Sequence, residues 1–107
     1  HYTGYFSAHE AVIVNGMEYV SWYSDGLRIV DLSDPANPEE VGSFIPAPAP
    51  DPQGHWVTPT GNRSIPMTWG VTVVNGLVYL SDMNTGLWIV RYAPPPLDPQ
   101  PKPGDVL

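Results

Sequence analysis

The chain has 107 residues, and its 4 lysines and arginines stand against 11 aspartates and glutamates, for a formal net charge of −7. Nucleic acids and anionic membrane surfaces attract clustered cations, so this balance disfavours both as partners. The chain has no cysteine, which excludes disulfides, thiolate zinc sites and a cysteine nucleophile. Its apolar runs are far shorter than the roughly 20 residues of a membrane-spanning helix, so we expect no membrane insertion.

Composition also favours strands over helices. The 14 prolines and 10 glycines disfavour long helices, and no segment shows a sustained apolar period of 3.6 residues. The sequence therefore predicts an all-β fold of short strands joined by turns, with a modest core. No secretory leader pattern is visible, and we interpret the chain as a mature product or as a piece of a longer one.

The first half of the chain predicts a meander of strands. Residues 1–7 are rich in aromatic and β-branched side chains and predict a short extra strand. Asn15-Gly16 is a strong hairpin signal, because a type I′ turn needs positive φ at both central positions. The third strand carries apolar side chains in both directions, so we expect both of its faces to be packed. Four strands are predicted after the extra one, at residues 11–14, 17–22, 27–32 and 39–44.

The second half begins with a loop rich in proline. Residues 45–68 lose the strand pattern, and a connection of this length is typically functional or disordered. Three strands follow, at residues 69–74, 77–82 and 87–92, without a fourth. Residues 93–107 form a proline-rich tail that cannot donate regularly to a sheet.

The two halves are copies of each other at an offset of 60 residues. Of the 25 pairs from Ala8/Thr68 to Leu32/Tyr92, nine are identical. Each copy has two apolar faces and cannot bury both alone, whereas blades of a β-propeller stack and cover them. The sequence therefore predicts four-stranded antiparallel blades at about residues 8–44 and 68–92. The nine shared residues are Val14, Asn15, Gly16, Tyr19, Ser21, Gly26, Leu27, Ile29 and Val30.

One motif resembles a known family. Residues 26–35 read Gly-Leu-Arg-Ile-Val-Asp-Leu-Ser-Asp-Pro, and Gly-Leu-Trp-Ile-Val recurs at residues 86–90. These residues resemble the bacterial LVIVD-repeat β-propellers. The resemblance implies a secreted or cell-surface protein without shared catalytic residues. Two blades do not close a propeller, so it also implies further blades, from a longer chain or from other copies, with residues 1–7 supplying an outer strand.

Three side chains are candidates for a transition-metal site: His9, Glu10 and His55. His9 and Glu10 precede an innermost strand, which in a propeller lies near the central opening. Their spacing is not that of a His-Glu-x-x-His helix. The competing interpretation is that His9 bonds to loop backbone.

Three aromatic residues, Trp22, Tyr23 and Trp56, are candidates for ligand binding. They fall at strand ends or in loops, where a sugar or a peptide could stack. Packing within and between blades is the competing interpretation. Ser21 and Ser81 recur in both copies, which indicates strand packing, since a nucleophile is needed once. Asp25, Asp31, Asp34 and Asp82 are expected to cap turns, because no calcium-binding loop pattern surrounds them.

These observations predict a non-catalytic, secreted or cell-surface β-propeller segment that acts as a binding or assembly module. Other blades of the same propeller are the expected partners, with a protein or a carbohydrate as candidate ligand, and no cofactor is expected. Two alternatives remain open. One is a metal-dependent enzyme around His9, Glu10 and His55, and the other is a purely structural terminal piece of a larger extracellular protein.

Overall fold

The structure is a computed structural model that describes residues 7–50, 61 and 64–93. Within these residues the chain is all-β, with two antiparallel sheets and no helix, as the sequence predicted. No helix of the described chain could therefore cross a membrane. His55, Trp56 and nearly all of the predicted extra strand and tail lie outside the described residues.

Seven strands make up the two sheets, and each lies within two residues of its predicted position. The first sheet has the order β1-β2-β3-β4 and the second the order β5-β6-β7. Within the described residues the second sheet has three strands, and the tail from residue 94 onward lies outside them. The strands are β1 (Glu10–Val14), β2 (Met17–Ser21), β3 (Leu27–Asp31), β4 (Glu39–Phe44), β5 (Thr68–Val74), β6 (Leu77–Asp82) and β7 (Gly86–Val90).

The two Asn-Gly hairpins have the predicted backbone. The φ angles of Asn15 and Gly16 are 51° and 75°, and those of Asn75 and Gly76 are 49° and 77°. Positive φ at both positions defines a type I′ turn, whose twist matches that of the flanking strands. Strand register is conserved between the copies as well, since Tyr19 pairs with Ile29 and Tyr79 with Ile89.

The core lies between the two sheets and consists of Leu27, Ile29, Val71, Val78 and Leu80. The first sheet contributes Leu27 and Ile29 to the core. The second sheet contributes Val78 and Leu80, whose equivalents in the first copy, 60 residues earlier, are residues 18 and 20. Because neighbouring residues of a strand point to opposite faces, the two sheets use opposite faces of the same repeat and pack front to back.

This packing leaves one face of the second sheet uncovered by the described residues. Leu27 and Ile29 are 1% and 4% exposed, whereas their equivalents Leu87 and Ile89 are 67% and 52% exposed. The expectation that both faces are packed was made for β3, whose residues are buried or half-buried, and it does not extend to the equivalent strand β7 in the described chain. A strand can cover its second face only when a further layer lies against it.

The described part of the proline-rich loop packs onto the second sheet. Pro46 is fully buried, and the amide of Ala49 donates to the carbonyl of Ser64 (3.1 Å). Met67 is also buried, and its carbonyl accepts from the amide of Met83 (3.0 Å). The loop therefore returns to the sheet on both sides of the residues that are not described.

Candidate functional site

An aromatic cluster of His9, Tyr23 and Trp69 marks the junction of the two sheets. The His9 and Trp69 rings stack with centroids 3.7 Å apart and an interplanar angle of 35°. Tyr23 meets both rings edge-on, at 5.4 Å from His9 and 5.9 Å from Trp69. Trp69 remains 39% exposed. The cluster lies where the two inner strands, β1 and β5, begin.

Backbone hydrogen bonds hold the cluster in place. Tyr23 and Thr68 exchange two of them, with N···O distances of 3.1 and 3.0 Å. Tyr23 has a φ of 41°, a left-handed conformation that is uncommon for a large side chain. This bridge fixes the end of β2 against the start of β5 and so brings Tyr23 over the stacked rings.

The repeated serine connects one sheet to the next. The Ser21 hydroxyl accepts from the amide of Glu10 (3.1 Å) and donates to the carbonyl of Trp69 (2.6 Å). Its equivalent, Ser81, accepts from the amide of Gly70 in the same way (3.1 Å). Both hydroxyls bond to strand backbone, so the packing interpretation of this serine is confirmed.

The structure places His9 and Glu10 side by side, with both side chains bonded to β5. A ring nitrogen of His9, Nδ1, lies 2.9 Å from the carbonyl of Trp69. Because a carbonyl only accepts, this bond requires the proton on Nδ1. Glu10 accepts from the amide of Val71 (3.1 Å). His9 does bond to backbone, but its partner lies on strand β5 and not in a loop as the sequence predicted. The described residues hold no cluster of three or more potential metal ligands.

Of the three aromatic residues proposed for ligand binding, Tyr23 belongs to the cluster. Trp22 is half-buried, and its amide donates to the carbonyl of Gly26 (2.7 Å). Sequence reasoning did not find the stacking of His9 on Trp69. The signal was present, because residues 9 and 69 are repeat equivalents and stacked blades bring equivalent positions together.

Most of the described aspartates cap turns by accepting hydrogen bonds from backbone amides, and one forms a buried ion pair with Arg28. Asp31 accepts from the amide of Ser33 (2.8 Å), and Asp82 accepts from the amides of Asn84 and Thr85. Hydrogen bonds from Ser33, first from its backbone amide and then from its side chain, lower the pKa of the Asp31 carboxyl. For these residues the turn-capping interpretation is confirmed.

Asp34 caps the next turn. Its carboxylate accepts from the Asn37 side chain (2.7 Å) and from the Ala36 amide (3.1 Å). These two bonds, with that from Asn37 first, lower the pKa of Asp34. A carboxylate that accepts such bonds is stabilised in its charged form.

Arg28 forms a charged network that the sequence analysis did not foresee. Its guanidinium lies 3.1 Å from Glu40 and 3.8 Å from Asp25, and its Nε also donates to the Asp25 carbonyl (3.1 Å). In the second copy, Trp88 donates to Thr85 across the same spacing (2.8 Å). In both copies the side chain at this position bonds to the residue three positions earlier, through a guanidinium in one and an indole in the other. The bond therefore closes the same turn in each blade.

Comparison with known protein families identifies the first sheet. The family model of the LVIVD repeat matches residues 9–45. Residues 9–45 are an LVIVD repeat. Searches of curated proteins and of solved structures found no significant match. The LVIVD repeat covers β1–β4, and the second sheet keeps its register and its hairpin over the three strands that the structure describes.

Proposed function

We propose that this chain is a non-catalytic assembly and binding module, a pair of propeller-type blades that works by stacking with further blades of the LVIVD type. The observation that carries the proposal is the uncovered face of the second sheet, here called the open face. It includes Thr72, Val74, Leu77, Tyr79, Ser81, Leu87 and Ile89.

The open face has the composition of an interface. Its equivalent on the LVIVD repeat is the face that packs onto the second sheet and buries Leu27 and Ile29. Fully burying a leucine or isoleucine side chain stabilises a protein by about 1.5–3 kcal/mol. Contiguous exposed apolar surface of this kind marks interaction sites in soluble proteins. Covering Leu87 and Ile89 with another blade would recover that stabilisation.

Ser81 adds a polar feature to the open face. Its equivalent Ser21 donates to a backbone carbonyl of the neighbouring sheet, at Trp69. Ser81 keeps the bond within its own sheet and is exposed. A blade stacked on the open face would bring a carbonyl to Ser81 at the matching position.

A variant with a charged open face tests the proposal. Leu87→Asp with Ile89→Asp introduces two charges where stacking would bury them, and both side chains are exposed in the single chain. The matched control places the same charges on the exposed turn, as Ser33→Asp with Ala36→Asp. We expect the natively purified parent and the control to be found in discrete assemblies by light scattering, and the open-face variant as single folded chains. A parent that is a folded single chain without a partner would overturn the proposal.

Ligand binding by the aromatic cluster is a second candidate, favoured by the exposure of Trp69 beside Tyr23. A protein or a carbohydrate that stacks on Trp69 would shift its fluorescence, and Trp69→Ala would abolish the response while Trp22→Ala would leave most of it. Equal responses in the two variants would contradict this site.

The metal-dependent alternative has a direct test. His9 and Glu10 are bonded to the β5 backbone, which favours a structural role for both. Elemental analysis of natively purified protein is expected to find no stoichiometric transition metal. A bound metal that is lost in His9→Ala would reverse this assignment.

We also propose an extracellular or cell-surface location, which rests on the resemblance to secreted LVIVD proteins alone. Antibody labelling of intact cells of the source organism tests it. Labelling that appears only after the cells are broken would contradict it.

A further inference from the structure

We infer that the partner for the open face is a second copy of this chain, which docks the back face of its own LVIVD repeat. This inference rests on the proposed stacking function and names its partner. The back face is the side of the first sheet turned away from the core, and it includes Ala11, Ile13, Glu18 and Val30.

The existing interface between the two sheets supplies the pattern for this contact. It joins the front of one repeat, through Leu27 and Ile29, to the back of the next, through Val78 and Leu80. The chain therefore has an unused front on its second sheet. The back of its first sheet is exposed along β1, at Ala11 and Ile13, whereas Val20 and Arg28 on the same side are already buried by the described residues. Ile13 on that back is 64% exposed. Two copies can join these surfaces with the same geometry as the contact already present.

Head-to-tail contacts of this kind have a defined outcome. An interface between two different patches of the same chain propagates, and it closes into a ring when the rotation allows. Here the inner strands β1 and β5 lie in contact. Toward β4 and β7 a groove of about 370 Å³ separates the sheets, lined by Val41, Phe44 and Tyr92 among others. Sheets that diverge from a common inner edge radiate around an axis, as blades do, so the geometry favours a ring.

The aromatic cluster gives the contact a specific register. His9 stacks on Trp69 within the chain, and the two positions are equivalent in the repeat. In a second copy stacked with the same geometry, the exposed face of Trp69 would meet His9 of that copy. Ser81 would donate to the carbonyl of the same His9, as Ser21 does to Trp69. The ring would then carry alternating histidine and tryptophan rings around its inner edge.

One residue of the back face opposes stacking, because it is charged where the equivalent residue of the second sheet is apolar. Val78 is buried in the existing interface, and its equivalent is Glu18. Burying a carboxylate without a partner is costly. We therefore expect Glu18→Val to strengthen the association of copies and lower the concentration of half-assembly. A variant that assembles less well than the parent would contradict the proposed register.

A mixing experiment separates this contact from every other arrangement. Variant A carries Leu87→Asp and Ile89→Asp on the open face, and variant B carries Ala11→Asp and Ile13→Asp on the back face. The side chains replaced are all exposed, so both variants should keep the fold. Each variant retains one of the two complementary surfaces.

We expect A alone and B alone to be single chains, and an equal mixture to form a dimer of one A and one B, with twice the single-chain mass by light scattering. Dimers of B alone would indicate open face against open face and would overturn the inference. A mixture that stays monomeric while the parent assembles would overturn it as well. Capture of a different LVIVD polypeptide by variant B, with no binding to A, would leave the stacking function intact and refute the second copy as partner.

Discussion

The two sheets are close copies in sequence and register, yet they differ sharply in what covers them. Leu27 and Leu87 hold equivalent positions next to the equivalent glycines Gly26 and Gly86, and the first is buried while the second is exposed. The cause lies outside the repeat, because a neighbouring sheet covers Leu27 and none of the described residues covers Leu87. A repeat therefore specifies its own strands and turns, whereas its stability and its binding depend on the next repeat along the array.

The largest expected effect is the difference in stability between alanine variants of the two equivalent leucines, Leu27 and Leu87. Leu27→Ala should lower the free energy of unfolding by about 2–5 kcal/mol, because it leaves a cavity between the sheets. Leu87→Ala should change it by less than about 0.5 kcal/mol, as at other exposed positions. Urea denaturation at a dilution where the chains are single measures both. Equal losses at the two positions would show that the open face is covered within one chain.

The second comparison is between the serines. Ser21→Ala removes a buried hydroxyl that bonds to Glu10 and Trp69, and an unsatisfied buried backbone group costs about 1–3 kcal/mol. Ser81→Ala removes the equivalent bond at an exposed position, where water replaces the hydroxyl. We expect the midpoint of urea denaturation to fall clearly for Ser21→Ala and little for Ser81→Ala. A larger fall in the midpoint for Ser81→Ala than for Ser21→Ala would contradict the role of Ser21 in connecting the two sheets.

The smallest expected effect concerns the turn after β3, whose Ser33-Asp34-Pro35 sequence does not recur in the second copy. The pKa values of Asp31 and Asp34 are lowered in the folded chain. Their contribution to stability is therefore present above the unfolded value of about 3.9 and is lost as the pH falls below it toward the folded pKa values. Thermal melting should decline through this window, and Asp34→Asn should reduce the decline. A variant with an unchanged pH profile would contradict a role for the Asp34 cap.

The sequence was sufficient to predict features that local chemistry determines. The bounds of β4 and β6 follow from side-chain alternation and turn residues, and the Asn15-Gly16 hairpin follows from the φ values that its turn requires. The internal repeat then predicted blades, because one copy alone cannot bury both of its apolar faces.

Contacts between the sheets could not be predicted in this way. The bond from Val71 to Glu10 depends on how two distant strands meet, which no local pattern records. For the stacking of His9 on Trp69 the sequence signal is not local either, since it is the equivalence of the two positions in the repeat. Arg28 was missed for the same reason, because its partner Glu40 lies on the next strand. The exposure of Ile89 likewise depends on whether another sheet packs against β7, which the sequence of β7 does not determine.

The most direct test of the central claim is hydroxyl-radical labelling of natively purified protein over a range of concentrations, read by mass spectrometry at Leu87, Ile89, Leu27 and Ile29. The account predicts that Leu87 and Ile89 are protected at high concentration and become labelled on dilution, while Leu27 and Ile29 stay protected throughout. Labelling of Leu87 and Ile89 at every concentration would contradict the claim that the open face is an interface.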